Sequence, residues 1–324
     1  MVPPYRPQLD PGRTMNEVAT PPFRTLLLPG FAVLRVGGTD AATFLQGQFT
    51  NDVRLLADGR TQVAACCTNQ GRVIALVRFR QTDAAIYALL PADLLGKLAT
   101  HLRKFVLRSK VEILHATDLN VGAILTGDAE AAARAHRVFD EAALTMSPVP
   151  LAGATEVVTF QYAPGREVIA APPEVWRSMS GLSLSPPGSR AQAEWLAADI
   201  AAGLPHVFSA TSEQFTPQML NVDLIDGVSF NKGCYTGQEI VARTHHLGRV
   251  KRRTMRFHLA AGPTAPAPMA TLSLEGAKAA DVLLTAGTDD GIELLAVTNL
   301  DAAGKALQLE DGRSAEPRSL PYSL

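Results

Sequence analysis

Cysteine is scarce in this chain. Cys66, Cys67 and Cys234 are the three thiols in 324 residues, an odd number without framework spacing. That excludes a disulfide-stapled secreted domain and points to reduced thiols in a cytoplasm. An excess of charge of either sign is also missing. Thirty Lys and Arg against 31 Asp and Glu leave a net charge of -1, so a generally basic coat for nucleic acid is excluded and any polyanion site must be local. No apolar run reaches the roughly 18 uninterrupted residues of a membrane-crossing helix, and no signal-like apolar region opens the chain, so a soluble cytoplasmic protein with no membrane partner is expected. The phosphate-loop, GxGxxG, HExxH and paired CxxC patterns are absent, which removes the commonest nucleotide and metal signatures. Nor is there an internal repeat at a period of about 20 to 50 residues.

What is present is the composition of a folded chain, 47% hydrophobic and 19% charged. At roughly 150 residues per domain, the length suggests about two domains, with three small ones as the alternative. The first 22 residues hold six prolines and read as a disordered lead-in. Phe31 to Val36 then reads as a strand, followed by a short helix from Asp40 to Gln46 with Thr39 as its N-cap. Thr61 to Thr68 and Arg72 to Arg80 flank the turn Asn69-Gln70-Gly71 and predict a hairpin, and Ala84 to Leu90 predicts another strand. After Pro91, Leu94, Leu98, Leu102 and Phe105 recur at helical spacing. Val111 to Leu114 and Val121 to Leu125 read as strands, Asp128 to about Val138 as an alanine-rich helix, and Val157 to Tyr162 with Glu167 to Ala170 as a second hairpin. Ser189 and Gln192 make a capping-box pattern ahead of a helix with Ala193, Leu196, Ala197 and Ile200 on one face, ended by Gly203 and Pro205. From Val250 onward, short strands between Gly and Pro turns suggest a small closed or nearly closed all-β unit, with a boundary near Gly248. The fold class expected is α+β.

One segment could carry chemistry. Lys232-Gly233-Cys234-Tyr235-Thr236-Gly237-Gln238-Glu239, followed by Ile240 to Arg243, sets a thiol between a cation and a helix start. Gly233 would permit a turn that a Cβ hinders, and Gly237 would let the chain enter the helix. Lys232 and the free helix N–H groups would then lower the thiol pKa, as a nucleophile or soft-metal ligand requires. Glu239 could bind a ligand's N–H groups or simply suit the helix dipole. The alternative is that Cys234 is a small buried residue in a tight turn. Downstream, Arg243, His245, His246, Arg249, Lys251, Arg252, Arg253 and Arg256 occur with no acid between Ile240 and His258. They form either an anion or RNA site or a solvated strand surface. On a strand from Val250, Arg253 and Arg252 fall on opposite faces, so these cations do not all converge. Cys66 and Cys67, adjacent on a strand, read as packing residues, and a zinc site from Cys234 with His245 or His246 lacks a second ligand pair.

Lys232 to Glu239 resembles the K-G-C-Y-x-G-Q-E signature of the YgfZ folate-binding proteins, relatives of the glycine-cleavage T protein. Also similar are Gly38, Asp40 and Ala41, Phe44 to Gln48, Thr50 to Val53, Gly71-Arg72, Phe215 to Asn221, Val228-Ser229-Phe230 and Lys251-Arg252-Arg253. Together these span about residues 31 to 256. The resemblance implies two interleaved α+β modules (23-120 and 121-247, after the lead-in 1-22) and a C-terminal β-barrel (248-324) around a central opening lined by the signature. It implies tetrahydrofolate or a one-carbon derivative as cofactor, and a role in assembling or repairing iron–sulfur clusters that serve tRNA modification. Iron–sulfur proteins or their assembly machinery are the implied partners, with a tRNA contact through Arg243 to Arg256. On this reading Cys234 and Lys232 do the chemistry, while Gly233, Tyr235, Gly237, Gln238, Glu239, Arg243, Arg249, Asn51 and Asp223 hold the folate.

Departures from the T protein bear on activity. Its catalytic acid follows the Gly-rich turn in a G-G-I-I-D-D-like stretch, where this chain has Ala75 and Leu76. Its pterin-reading glutamate lies in an R-L-E-A-G-like helix end, where this chain has Ala201. Without a carboxylate near N5 or N10, aminomethyl transfer loses its means of stabilising developing positive charge. To hold the pterin ring in place of that glutamate, Glu213, Asp223 or Glu239 would have to substitute. A folate-dependent aminomethyl- or methyltransferase and an RNA-binding adaptor stay as alternatives to an accessory protein without turnover.

Overall fold

The computed structural model describes residues 23–58, 60–126, 156–163, 165–178, 184–185, 189–246, 248–262 and 264–324. The expected N-terminal lead-in and the expected helix from Asp128 to Val138 lie outside them. The elements begin β1 (Phe23–Leu27), β2 (Phe31–Gly37), α1 (Ala41–Gln46), β3 (Thr61–Cys67), β4 (Val73–Gln81), β5 (Ile86–Pro91), α2 (Leu95–Arg103) and β6 (Glu112–His115). They continue β7 (Asn120–Thr126), β8 (Val158–Ala163), β9 (Arg166–Ala171), α3 (Pro173–Ser178), β10 (Leu184–Ser185), α4 (Arg190–Ala201) and α5 (Gln238–His246). Six strands close the chain: β11 (Arg252–Leu259), β12 (Thr271–Leu274), β13 (Ala277–Thr288), β14 (Gly291–Asn299), β15 (Leu307–Gln308) and β16 (Ser314–Arg318). No helix among the described residues is long and apolar enough to cross a membrane.

The expected hairpin forms. Cys67 and Val73 pair across a bulge, and the turn between them is closed by the Thr68 N–H donating to the Arg72 carbonyl at 2.8 Å. β3 and β4 open a five-stranded sheet ordered β3-β4-β5-β2-β6. A second sheet is ordered β10-β1-β7-β9-β8, so β1, which precedes the first sheet in the chain, pairs antiparallel with β7 in the second. The last six strands close a barrel ordered β11-β14-β13-β12-β15-β16. Met255, Phe257, Leu259 and Leu294 fill its interior, as the alternation of β11 predicts. Leu283, Leu284 and Leu295 share a core with Ile200 and Phe79, so the barrel is packed onto α4 and the first sheet.

Two helix expectations are corrected. α2 buries Leu98, Ala99 and Leu102, but Phe105 lies past its end and is exposed. α4 starts after Ser189 as expected, yet no side-chain cap bond forms. Gln192 instead donates its amide to the Leu27 carbonyl at 2.7 Å, because the helix packs where β1 ends and that orphan acceptor needs a donor. The N-cap of α1 is Asp40 rather than Thr39. The Asp40 carboxylate accepts from the Lys110 N–H at 2.7 Å and so ties the helix start to the loop before β6.

Candidate functional site

The segment Lys232–Glu239 runs as an irregular loop into α5. Its shape depends on two glycines far apart in sequence. Gly237 has φ +83°, and a Cβ there would lie 2.4 Å from the Thr68 carbonyl oxygen and 3.1 Å from Cys67 Cβ. Gly71 has φ +67°, and a Cβ there would lie 3.0 Å from Ile240 Cβ. The β3–β4 turn and the start of α5 therefore nest backbone to backbone, which only residues without a side chain allow. Gly237→Ala is expected to lose about 2 kcal/mol or more of stability, read as a lowered denaturation midpoint with an unchanged slope. Gly233 differs from expectation. Its φ is not left-handed and nothing lies within 4 Å of a Cβ built there, so the turn does not require glycine at this position.

Lys232 is the anchor of the loop. Its ammonium donates to the carbonyls of Gln46, Phe49 and Asn51 at 2.7, 2.6 and 2.7 Å and lies 5.0 Å from the centre of the buried Tyr235 ring. Burial pulls its pKa down to about 8, which still leaves an ammonium with three protons at neutral pH. All three are engaged by carbonyls, so Lys232 donates no hydrogen bond to the Cys234 sulfur. The cation next to the thiol in sequence is a structural tie to the segment after α1. Cys234 itself is exposed while Cys66 and Cys67 are buried. It is therefore not the buried filler of the alternative reading, whereas Cys66 and Cys67 pack as expected. Burial pushes both of their thiols up, Cys67 to about 12. Gln238 accepts the Tyr235 N–H at 3.3 Å and closes the turn locally. Glu239 and Arg243 are exposed on α5, and Arg249 is exposed beyond it.

The other expected folate ligands have internal partners. The Asn51 amide donates to the carbonyls of Val63 at 2.8 Å and Asp226 at 2.5 Å, and its oxygen accepts from the Asp52 N–H. Asp223 is held by Arg253 through two bonds of 2.6 and 2.9 Å. Glu213 pairs with Lys97 at 2.6 Å. The basic stretch is largely neutralised the same way: besides Arg253, Arg252 bonds Asp281 at 2.7 Å and Arg256 bonds Glu293 at 2.7 Å. Only Arg243, Arg249 and Lys251 of its Arg and Lys residues stay exposed. Beside them the His245 ring stacks on Phe230, centroids 3.7 Å apart. The segment Phe215–Asn221 is a junction. The Phe215 carbonyl accepts from Val73 at 2.8 Å, Gln218 donates to the Val241 carbonyl at 2.8 Å and Asn221 to the Thr254 carbonyl at 2.8 Å, joining first sheet, α5 and barrel.

A narrow cleft, with room for about 20 Å³, opens elsewhere, between β4, β5, the start of β2 and the chain after α4. Phe31, Leu76, Leu89, Leu90 and Ile225 give it apolar walls, and Arg78, Tyr162 and His206 are its hydrogen-bonding side chains. None of Lys232–Glu239, Asn51, Asp223, Arg243 or Arg249 is on its walls. The separation has a simple cause. Cys67, against which Gly237 packs, is four residues along β3 from the wall residue Val63, about 13 Å at the usual rise of a strand. Leu76, at the position of the T protein's acid, does line the cleft. Behind the wall sits a group of polar residues that the sequence reading missed. Asp199, fully buried on α4, accepts from Arg166 at 2.6 Å, His206 Nε2 at 2.8 Å and the Tyr162 hydroxyl at 3.1 Å. Burial alone would raise the Asp199 pKa, but the His206 hydrogen bond and the charges of Arg166 and Arg78 outweigh it and hold the carboxyl below its usual range. The available signal was an acid four residues after Trp195, on the same buried helix face.

No family model matches the chain. In fold it is similar to the aminomethyltransferase T of the glycine cleavage system from Bartonella henselae, with a TM-score of 0.71 over 92% of this chain and 86% of that one, at 15% identity. In sequence it is 31% identical to the tRNA-modifying protein YgfZ of Klebsiella pneumoniae (strain 342) over 325 residues, 97% of each chain. It is 30% identical to the protein of that name from Enterobacter sp. (strain 638), over 97% of this chain and 98% of the relative. Identity of this order along essentially the whole length, on a T-protein-like fold that ends in a closed barrel, means that the chain belongs to the YgfZ family.

Proposed function

We propose that this protein is a cytoplasmic, tetrahydrofolate-binding accessory protein that supports iron–sulfur cluster assembly or repair and, through it, tRNA modification. The observation that carries the folate part is membership of the YgfZ family on a T-protein-like fold. The exposed Arg243 or Arg249 is available to the carboxylates of the glutamate tail. The exposed Cys234 supplies the thiol for cluster-related chemistry on the surface loop. Any direct tRNA contact falls to Arg243, Arg249 and Lys251, since Arg252, Arg253 and Arg256 have acidic partners inside the fold.

Aminomethyl transfer is not part of the proposal. Ala75 is fully buried and Leu76 presents an aliphatic side chain to the cleft where an acid would be required. Calorimetric titration with tetrahydrofolate and with folic acid tests the reading. Saturable heat and a raised melting temperature with the reduced form are expected. No heat and no thermal shift with either would overturn it.

A further inference from the structure

One part of the surface combines flat rings with charges that the fold leaves unpaired. Phe230 sits between two tied residues: the Ser229 N–H donates to the Thr50 carbonyl at 2.9 Å, and Lys232 is held by its three carbonyls. The His245 ring, in the last turn of α5, stacks on Phe230 with centroids 3.7 Å apart and planes 14° from parallel. His246 meets His245 at 4.8 Å and a steep angle of 80°, and lies 6.2 Å from Phe230. Those three separations make nearly a right angle at His245, so His246 stands at the side of the stack and not on its far face. His245 is exposed although Phe230 covers one face. The face turned away from Phe230 is therefore the one open to a further ring.

Cations lie close to this stack. Arg243, three residues before His246, shares its side of α5. The Gly248 N–H donates to the Arg243 carbonyl at 2.9 Å, which folds the chain back and brings Arg249 next to the helix end. Lys251 follows two residues on, immediately before β11. All three side chains are exposed, and none has an ion-pair or hydrogen-bond partner among the described residues. The negative end of the α5 dipole accounts for a cation on the last turn, but not for an exposed ring stack or for cations beyond the helix. A flat π-face beside unpaired cations matches a nucleic-acid base with its phosphates. In a double helix the base faces are covered by one another, so the platform is suited to a single strand. We infer that the Phe230–His245 stack is a docking platform for an unpaired base of single-stranded RNA, with Arg243, Arg249 and Lys251 on the neighbouring phosphates. This rests on the tRNA part of the proposed function, and it places the RNA on the unit of loop and helix that also carries Cys234.

The test is fluorescence anisotropy with a labelled RNA strand of about 12 nucleotides, the DNA strand of the same sequence, and the RNA duplex. Wild type is expected to prefer the single RNA strand to the duplex by about tenfold or more. Its affinity should fall with added salt at a log–log slope of about -2, for three phosphates. His245→Ala should lose about tenfold or more in affinity, with an unchanged melting temperature because the ring is exposed. His245→Phe, which keeps a ring on the stack, should bind within a few-fold of wild type. Arg243→Ala should make the salt slope shallower by about 0.7. A folded His245→Ala that binds as wild type does, or a wild type that prefers the duplex, would overturn the platform, and a clear preference for the DNA strand would overturn RNA as its ligand. Wild type that binds no RNA overturns the inference outright. Restored thiomethylation of tRNA in a strain lacking its own copy then shows that the proposed function stands without it, and no restoration shows that the function fails as well.

Discussion

Cys234→Ser is expected to reduce function in cells by more than about tenfold while leaving the melting temperature within about 1 °C of wild type. The side chain is exposed, so the exchange removes no packing, and surface substitutions of this kind lie within about ±0.5 kcal/mol. Serine is close to isosteric with cysteine, but its hydroxyl does not ionise near neutral pH, whereas a thiol supplies a reactive fraction of thiolate. The measurement is complementation in a strain lacking its own copy of the protein, read as the level of thiomethylated tRNA or the activity of a cluster-dependent enzyme. Serine complementing as well as cysteine would show that the sulfur has no part in function and would leave the surface loop a docking element only.

Lys232→Met is expected to act in the opposite manner, on stability first. Methionine fills a similar volume but leaves three main-chain carbonyls without their charge-assisted donor. Two of those bonds are buried, and an unsatisfied buried acceptor costs about 1–3 kcal/mol. A loss of about 3 kcal/mol, or a fall of roughly 4–5 °C in Tm, follows for a chain of this size. The segment after α1 and the signature loop should loosen together, seen as faster amide exchange on both sides of the contact. Iodoacetamide labelling of Cys234 separates this role from the one expected of the sequence. Were the lysine chiefly an activator of the thiol, the variant would keep its Tm and label more slowly. An unchanged Tm would overturn the anchoring role.

How far each feature could be read from the chain depended on the distance over which its cause acts. The β3–β4 hairpin, α4 and the closing barrel follow from alternation, helical spacing and turn residues, all interactions among near neighbours in sequence. The family resemblance likewise singled out Gly71 and Gly237, but not the reason for them, since their meaning is a contact between segments more than 160 residues apart. The capping box of Ser189 and Gln192 had the right residues and a different outcome, because Leu27 offered Gln192 a better acceptor.

The amino-acid sequence by itself determined the α+β texture, the barrel, the scarcity of thiols and the segment that marks the family. Only the tertiary structure decided which charges remain available. It closed Arg252, Arg253 and Arg256 onto Asp281, Asp223 and Glu293, turned Lys232 away from solvent into a ring of carbonyls, and gathered Arg166, Asp199 and His206 behind one wall. Periodicity is set by each residue's own backbone and side chain. The state of a charge is set by whatever lies within a few ångströms of it, and spacing along the chain does not encode that.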